Sequence, residues 1–243
     1  MRGDLAETMD VPAHNAEVRE VWDAYHAGRP VRVPMVLGIN PRYLLLEPRA
    51  NTLGCDFEEY SEQPEVMFRA QLEFQRWVRH NLFQDAEMGI PEKWTVYVDF
   101  QNYYEAAWFG CPVAYRYGQV PDAVPIYAER PESLLDRGMP EPFSGIMGRA
   151  LEYAEAFKAM AEKETYLDRP VTAAPAHTGL GTDGPMTVAC NLFGAQFVCE
   201  TLGSEPKRIG RLLDFITEAT IRRVEAWKRR HGTAFPHDGY GIA

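Results

Sequence analysis

The chain has 243 residues, of which 46% are hydrophobic, and this is enough material for a sizeable core. Its formal net charge of −10 at pH 7 argues against a general nucleic-acid binder, because such proteins need a basic face to meet phosphates. The N-terminus lacks the apolar core of a signal peptide, and no later stretch is apolar enough to span a bilayer. We therefore expect one cytoplasmic domain over residues 1–243, with no nucleic-acid or membrane partner.

Apolar periodicity predicts the main elements along the chain. Helices are predicted over 15–27, 64–83, 145–165, 186–202 and 206–230, and strands over 33–39, 94–101, 113–117 and 171–176. Residues 118–145 are rich in proline and show no regular period, which predicts a long surface loop with a short helix near 131–137.

The cysteines give no sign of a metal centre or of a disulfide framework. The four cysteines are scattered along the chain, with no CxxC pair and no Cys/His cluster at zinc-finger spacing: Cys55, Cys111, Cys190 and Cys199. The pattern predicts reduced, mostly buried thiols; metal ligands from separate loops of a barrel stay open, but nothing in the pattern requires them.

The stretch 171–204 predicts a strand, a polar loop and a helix, which together form one βα unit. The helix is expected to begin at Pro185, because the first turn of a helix can accept a residue without an N–H. The loop carries His177 and Asp183, and in parallel α/β folds such loops bind ligands at the carboxyl ends of the strands. The alternative is that Asp183 caps the helix and His177 fills a turn.

Polar residues also lie at or just after the ends of two earlier predicted strands, 33–39 and 94–101. Arg42 and Tyr43 come shortly after 33–39, so a cation lies where an anion could bind, although an exposed arginine is usually only solvated. The carboxyl ends of parallel strands share one face of a barrel. We therefore expect one cleft that gathers the polar side chains at these ends: Arg42, Asp99, Gln101, His177 and Asp183.

Three segments resemble the uroporphyrinogen decarboxylase superfamily, which includes the heme-pathway decarboxylases and the corrinoid-linked methyltransferases. PVRVPMVLGINPRYLL is similar to the family's early strand and its Gly-Arg-Tyr segment. YYEAAWFGCPV is similar to the stretch that ends in Phe-Gly-Cys or Leu-Gly-Met. TDGPMTVACNLFG, with the helical run after it, resembles the Gly-Ala-Pro-Trp-Thr-Leu segment. The resemblance implies a single (β/α)8 TIM barrel, incomplete in this chain, with its site at the carboxyl ends of the strands.

The resemblance implies a carboxy-lyase that acts on a tetrapyrrole or related carboxylated substrate without a cofactor. Arg42 matches the second of the family's two carboxylate-binding arginines, but Gly38 stands at the first. The family's aspartate falls near Gln101, with Asp99 two residues earlier, and the family's tyrosine falls at or beside Asn191. Losing a cation and displacing the carboxylate that stabilises a protonated pyrrole predicts a divergent enzyme with little activity on uroporphyrinogen itself. Arg116 or Arg149 could replace the missing cation.

The expected site has a catalytic pair and a group of substrate-binding side chains, with no metal ligand. The pair is Asp99 and Gln101, and the substrate-binding side chains are Arg42, Tyr43, His177, Asp183 and Asn191.

Two other hypotheses stay open. The methyltransferase branch binds zinc through a His-x-Cys and a later Cys and works with a corrinoid protein; those ligands would lie beyond Ala243. The third hypothesis is a non-catalytic or incomplete barrel that binds a ligand or simply packs. After Gly232 the chain reads TAFPHDGYGIA, as if a further strand began, so we expect an edge strand, a tail or a fragment of a longer polypeptide. A homodimer is also left open.

Overall fold

The computed structural model describes residues 8–174 and 181–231, and helices make up most of those residues. The helices within these ranges are α1 (Val11–His26), α2 (Pro41–Leu46), α3 (Phe57–Glu62), α4 (Pro64–Asn81), α5 (Tyr104–Trp108), α6 (Ser133–Arg137), α7 (Ile146–Ala161), α8 (Pro185–Phe193), α9 (Ala195–Ser204) and α10 (Pro206–His231). None of them combines the length and the apolarity that are needed to cross a bilayer.

The strands of the described residues are short and form two small sheets. They are β1 (Trp94–Val96), β2 (Val113–Ala114), β3 (Asp122–Ala123), β4 (Thr165–Tyr166) and β5 (Arg169–Ala173). In the first sheet β5 is central, parallel to β1 with Trp94 opposite Val171, and antiparallel to β4. The second sheet is the antiparallel pair β2–β3.

The predicted (β/α)8 TIM barrel is wrong. A barrel needs eight parallel strands closed on one another, whereas the described residues contain one parallel pair. The stretch 33–39 forms no strand, because side chains bind part of its backbone. Met35 N–H donates to Asp85 Oδ2 at 2.6 Å, and Leu37 N–H donates to Gln84 Oε1 at 2.8 Å. Those donors are therefore not available to a β-ladder.

Two further predicted elements are interrupted by single residues in left-handed backbone conformations. The strand predicted over 94–101 is paired only as far as Val96, and the chain then turns at Gln101, whose φ is 59°. The helix predicted over 186–202 is two helices, because Gly194 takes a φ of 86° between α8 and α9. Its N–H still donates to Cys190 C=O at 2.9 Å and so closes α8.

The chain divides into two compact units. The first contains residues 8–96 and 157–174, and the second contains residues 97–156 and 181–231. The assignment of residues 1–243 to one domain stays a prediction.

The core of the first unit forms around α4. Its buried face includes Met67 and Phe68 at 0% exposure, and the Phe68 ring meets Phe157 edge-on at a centroid distance of 5.6 Å. Trp94 is also fully buried, and its indole N–H donates to Tyr166 C=O at 2.9 Å. Burial of each large apolar side chain stabilises the fold by ~1.5–3 kcal/mol, so this cluster contributes substantially to the stability of the unit.

Asp85 anchors the segment that precedes α2. Its carboxylate accepts from the Arg32 guanidinium and from Met35 N–H, while its carbonyl accepts from the Trp22 indole at 2.7 Å. The bond from Arg32, followed by the bond from Met35, holds the pKa of Asp85 below its usual value. The ionised carboxylate is therefore the form that stabilises the folded state.

The proline-rich stretch 118–145 of the second unit is held down by aromatic side chains that donate to backbone carbonyls. The Trp108 indole donates to Glu141 C=O at 2.9 Å, and the Trp227 indole donates to Pro142 C=O at 3.2 Å. Tyr127, itself within the stretch, donates its hydroxyl to Phe109 C=O at 2.6 Å. The short helix predicted near 131–137 is confirmed as α6, and the stretch also contains the strand β3.

We expect Leu167→Asn to stabilise the first unit. Leu167 and Asp168 form the two-residue turn between β4 and β5, with φ values of 49° and 58°. This left-handed conformation costs a leucine ~1–2 kcal/mol, whereas asparagine tolerates it. The substitution should therefore raise the free energy of unfolding by ~0.5–1 kcal/mol in urea titrations. Leu167→Ala, which removes the same apolar side chain but keeps the backbone penalty, should give no such gain; an equal gain would contradict the explanation.

We expect Asp85→Asn to flatten the acid side of the stability profile. Because the folded-state pKa of Asp85 is depressed, its contribution is fully present above the unfolded-state pKa of about 3.9 and is lost as pH falls through the lower folded-state pKa. The variant should be less stable than wild type at pH 7, and the two should converge at the most acidic pH values. Denaturant titrations across pH measure this, and parallel curves at every pH would contradict it.

Candidate functional site

Residues 99–101 of the second unit are here called the Asp99 turn. In this turn the carboxylate of Asp99 is hydrogen-bonded at both of its oxygens. Gln101 N–H donates to Asp99 Oδ1 at 3.0 Å, and Gln101 Nε2 donates to Asp99 Oδ2 at 2.5 Å. Gln101 is buried and keeps a left-handed backbone, which costs a residue with a Cβ ~1–2 kcal/mol. Such conformations persist only where the surroundings fix them, and they concentrate at functional sites.

A cation lies beside the Asp99 turn. Phe100 is buried, and the guanidinium carbon of Arg149 in α7 lies 5.0 Å from the centre of its ring. Tyr153, one turn further along α7, packs against the same ring with a centroid distance of 5.2 Å. The turn therefore combines an oriented carboxylate with a nearby positive charge.

A second polar group, here called the Glu105 cluster, joins α5, α10 and residues 181–183. Glu105 Oε1 accepts from Arg223 Nη2 at 2.8 Å and from the Thr182 hydroxyl at 2.9 Å, and Glu105 Oε2 accepts from Asp183 N–H at 2.7 Å. The side chains of Glu105 and Arg223 are 2% and 0% exposed. This is a buried ion pair whose carboxylate accepts hydrogen bonds at both of its oxygens.

Arg223 is enclosed by aromatic rings. Its guanidinium carbon lies 5.1 Å from the ring centre of Trp108 and 5.8 Å from that of Tyr104, and Nη2 also donates to Gly181 C=O at 2.8 Å. Within the described ranges, Nε and Nη1 of Arg223 are buried without an acceptor. Burial, and after it the Glu105 carboxylate, raises the pKa of Tyr104 above its usual value. The phenol is therefore neutral at pH 7.

The second unit contains four of the predicted site residues. Asp99 and Gln101 form the Asp99 turn, and Asp183 contributes its backbone N–H to the Glu105 cluster. Asp183 is not the N-cap of α8, because Gly184 occupies that position and makes no side-chain cap bond. Asn191 lies within α8 with a half-buried side chain.

The other predicted site residues lie elsewhere in the chain. Arg42 and Tyr43 belong to α2 in the first unit, where Arg42 N–H donates to the capping Asn40 at 3.0 Å and the Tyr43 ring packs on Trp77 at 4.9 Å. His177 is outside the described residues. The gathering of all these side chains into one cleft stays a prediction.

Sequence reasoning did not single out Glu105 or Arg223, although the sequence carries a signal for the arginine. The buried positions of α10 follow one stripe: Ile209, Leu212, Ile216, Ala219 and Trp227. Arg223 falls on that stripe, four residues after Ala219 and four before Trp227. A charged residue at a core position of an amphipathic helix predicts a buried partner of opposite charge.

The first unit contains a separate cavity of about 350 Å³. It is lined by Leu53, Gly54, Cys55, Glu59, Glu65, Val66 and Arg69. None of the lining residues is a predicted site residue. Burial raises the pKa of the Cys55 thiol to about 11, so this cysteine is a poor nucleophile at neutral pH.

Residues 8–174 and 181–231 contain no group of three or more His, Cys, Asp or Glu side chains arranged to hold a metal ion. Comparisons of the chain with protein-family models, with curated proteins and with solved structures gave no match.

We expect Arg223→Met to lower the free energy of unfolding of the second unit by ~3–5 kcal/mol, because it leaves the Glu105 carboxylate buried without its counter-ion. Adding Glu105→Gln should recover part of the loss, since the amide keeps an acceptor but carries no charge. The matched control is Arg222→Met on the same helix, whose partner Glu218 and own side chain are 48% and 62% exposed; it should cost less than ~0.5 kcal/mol. Equal losses in the two arginine variants, measured by urea unfolding, would contradict the role of burial.

Proposed function

We propose that this chain is a divergent carboxy-lyase that acts on a tetrapyrrole or a related carboxylated small molecule, with Asp99 facing the reacting ring. The observation that supports the proposal is the Asp99 turn, in which a buried, left-handed Gln101 binds both carboxylate oxygens of Asp99. The resemblance of the sequence to the uroporphyrinogen decarboxylase superfamily supplies the reaction class. The proposal needs the turn and does not depend on a barrel.

The chemistry requires a carboxylate with a fixed orientation. In the overall reaction the C–C bond to a side-chain carboxylate breaks, carbon dioxide leaves, and one proton from solvent completes a new C–H bond. The route passes through a protonated, cationic pyrrole, and a fixed negative charge stabilises that cation without having to reorganise. Gln101 provides the orientation, since it binds Asp99 through both its backbone and its side chain.

The substrate's own carboxylates need positive charge nearby. Arg149, whose guanidinium lies over Phe100 in the Asp99 turn, is the side chain we assign to this role in place of the cation that the sequence lacks at Gly38. The proposal involves no cofactor, a small-molecule substrate and a cytoplasmic location. The methyltransferase alternative, with zinc and a corrinoid partner, rests on the resemblance alone.

The test is release of carbon dioxide from a panel of pyrrole carboxylic acids, from porphobilinogen to freshly reduced uroporphyrinogen. We expect turnover on a panel member other than uroporphyrinogen, and Asp99→Asn should reduce it by ~10²–10³ while leaving the fold intact. Asp122→Asn, at an exposed position of β3 in the same unit, is the matched control and should keep full activity.

Two results would contradict the proposal. Release of carbon dioxide from no panel member would remove the decarboxylase assignment, and methyl transfer from methylcobalamin to a thiol in the presence of zinc would then favour the alternative. Turnover that Asp99→Asn leaves unchanged would keep the reaction but exclude the Asp99 turn as its site.

A further inference from the structure

Residues 31–39 of the first unit form an extended apolar segment that the rest of the described chain leaves uncovered. Its large apolar side chains are between 42% and 77% exposed: Val31, Val33, Met35, Val36 and Leu37. Five such side chains within seven consecutive residues are unusual on a protein surface, where exposed apolar side chains normally occur singly.

One edge of this 31–39 segment is already hydrogen-bonded and the other is open. Met35 and Leu37 donate to the side chains of Asp85 and Gln84, and Met35 C=O accepts from Asp85 N–H at 2.8 Å. Because successive residues of an extended chain point their N–H and C=O groups to opposite sides, the groups of Val36 point away from that anchor. Gly38 N–H points the same way, since it lies opposite Leu37 C=O in their shared peptide plane. The chain then turns at Gly38, where Ile39 N–H donates to Leu37 C=O at 3.1 Å. Neither Val36 N–H nor Gly38 N–H has an acceptor among the described residues.

We propose that the open edge pairs with the same segment of a second copy of this chain, antiparallel about a two-fold axis at Val36. In this register Val36 N–H of each copy donates to Val36 C=O of the other, and Gly38 N–H of each copy donates to Pro34 C=O of the other. The ladder then has four bonds and uses every outward donor from Pro34 to Gly38. Pro34, which has no N–H, acts only as an acceptor.

The charges of the segment suit pairing between identical copies. Arg32 is its one ionisable residue, and that guanidinium is held by Asp85 and Glu17 of its own chain, so the two edges meet without facing like charges. The net charge of −10 still repels the copies at long range. Salt screens such repulsion and leaves apolar contacts in place, so we infer that association strengthens as ionic strength rises.

The area of the segment sets the strength of the pairing. The exposed apolar side chains offer on the order of 500 Å² per copy, below the ~800 Å² per partner of a standard stable interface. We therefore infer a weak, reversible dimer whose population depends on concentration. This inference concerns the first unit and is independent of the proposed activity.

Sedimentation velocity across a wide range of concentration tests the dimer. Wild type should shift from monomer towards dimer as concentration rises, and more so at high salt. Val36→Pro removes the central donors and should stay monomeric, whereas Val36→Ala keeps the donors and should still associate. Circular dichroism of the monomeric variant verifies that it is folded.

Cross-linking tests the register even if Val36→Pro fails to fold. In a background with Cys190→Ser and Cys199→Ser, a Val36→Cys variant places the two thiols across the axis, with Cα atoms ~5.5 Å apart and within disulfide range. It should give a covalent dimer under mild oxidation. Val33→Cys, at an equally apolar and more exposed position, lies three residues from the two-fold axis, so its two copies are too far apart to cross-link.

A wild type that stays monomeric at every concentration overturns the proposal, and the open edge then serves another chain or none. A dimer that tolerates Val36→Pro, or equal cross-linking of the two cysteine variants, also overturns it, because the copies would then meet at another surface or in another register.

Discussion

The second unit depends on one buried ion pair. Glu105 and Arg223 lie far apart in the sequence and are almost completely excluded from solvent, and taking two charges out of water costs several kcal/mol for each. The cost is offset only where the geometry is good and the remaining hydrogen-bonding capacity is used. Glu105 meets that requirement with three donors, from Arg223, Thr182 and Asp183. Arg223 meets it in part, since its Nη2 donates to Glu105 and Gly181 while its Nε and Nη1 have no acceptor among the described residues. The pair thereby fixes α5, α10 and residues 181–183 to one another, because displacement of any of them would expose a charge that has lost its partner.

That constraint reaches the Asp99 turn through the backbone. Gln101 opens a single turn of 3-10 helix, α5 begins directly after it at Tyr104, and Glu105 is the next residue. The left-handed Gln101 is therefore followed, within one turn of helix, by a residue locked in a buried network. A strained conformation persists where its neighbours cannot relax, and Glu105 supplies that resistance. The orientation of Asp99 and the stability of the ion pair are thus properties of one continuous stretch of chain.

The longest apolar periodicities predicted α4 and α10 well, whereas the strand predicted over 33–39 failed because long-range partners decided the outcome. α4 and α10 show stripes at helical spacing over many turns, and each begins at the predicted proline. The stretch 33–39 has the composition of a buried strand, but Asp85 and Gln84, remote in sequence, bind its backbone through side chains. Asp99 and Gln101 were predicted as site residues from their place after a strand. The hydrogen bonds between Asp99 and Gln101 were not predicted, because they require the positive φ of Gln101, which few residues other than glycine adopt.

Both units show how a departure from the expected pattern in the sequence carries structural information. In α10 a single arginine interrupts an apolar stripe, and the structure resolves the conflict inside the chain, with a glutamate from α5. In the 31–39 segment the departure is the reverse: an apolar, strand-like stretch lies on the surface, and only one of its edges is satisfied within the chain. A buried charge needs a partner within the same fold, because an unpaired buried charge would destabilise the folded state. The backbone groups of an exposed edge can instead bind water when no second chain is present. The buried arginine therefore determines how elements of the chain pack together, whereas the exposed apolar segment determines what the chain can bind.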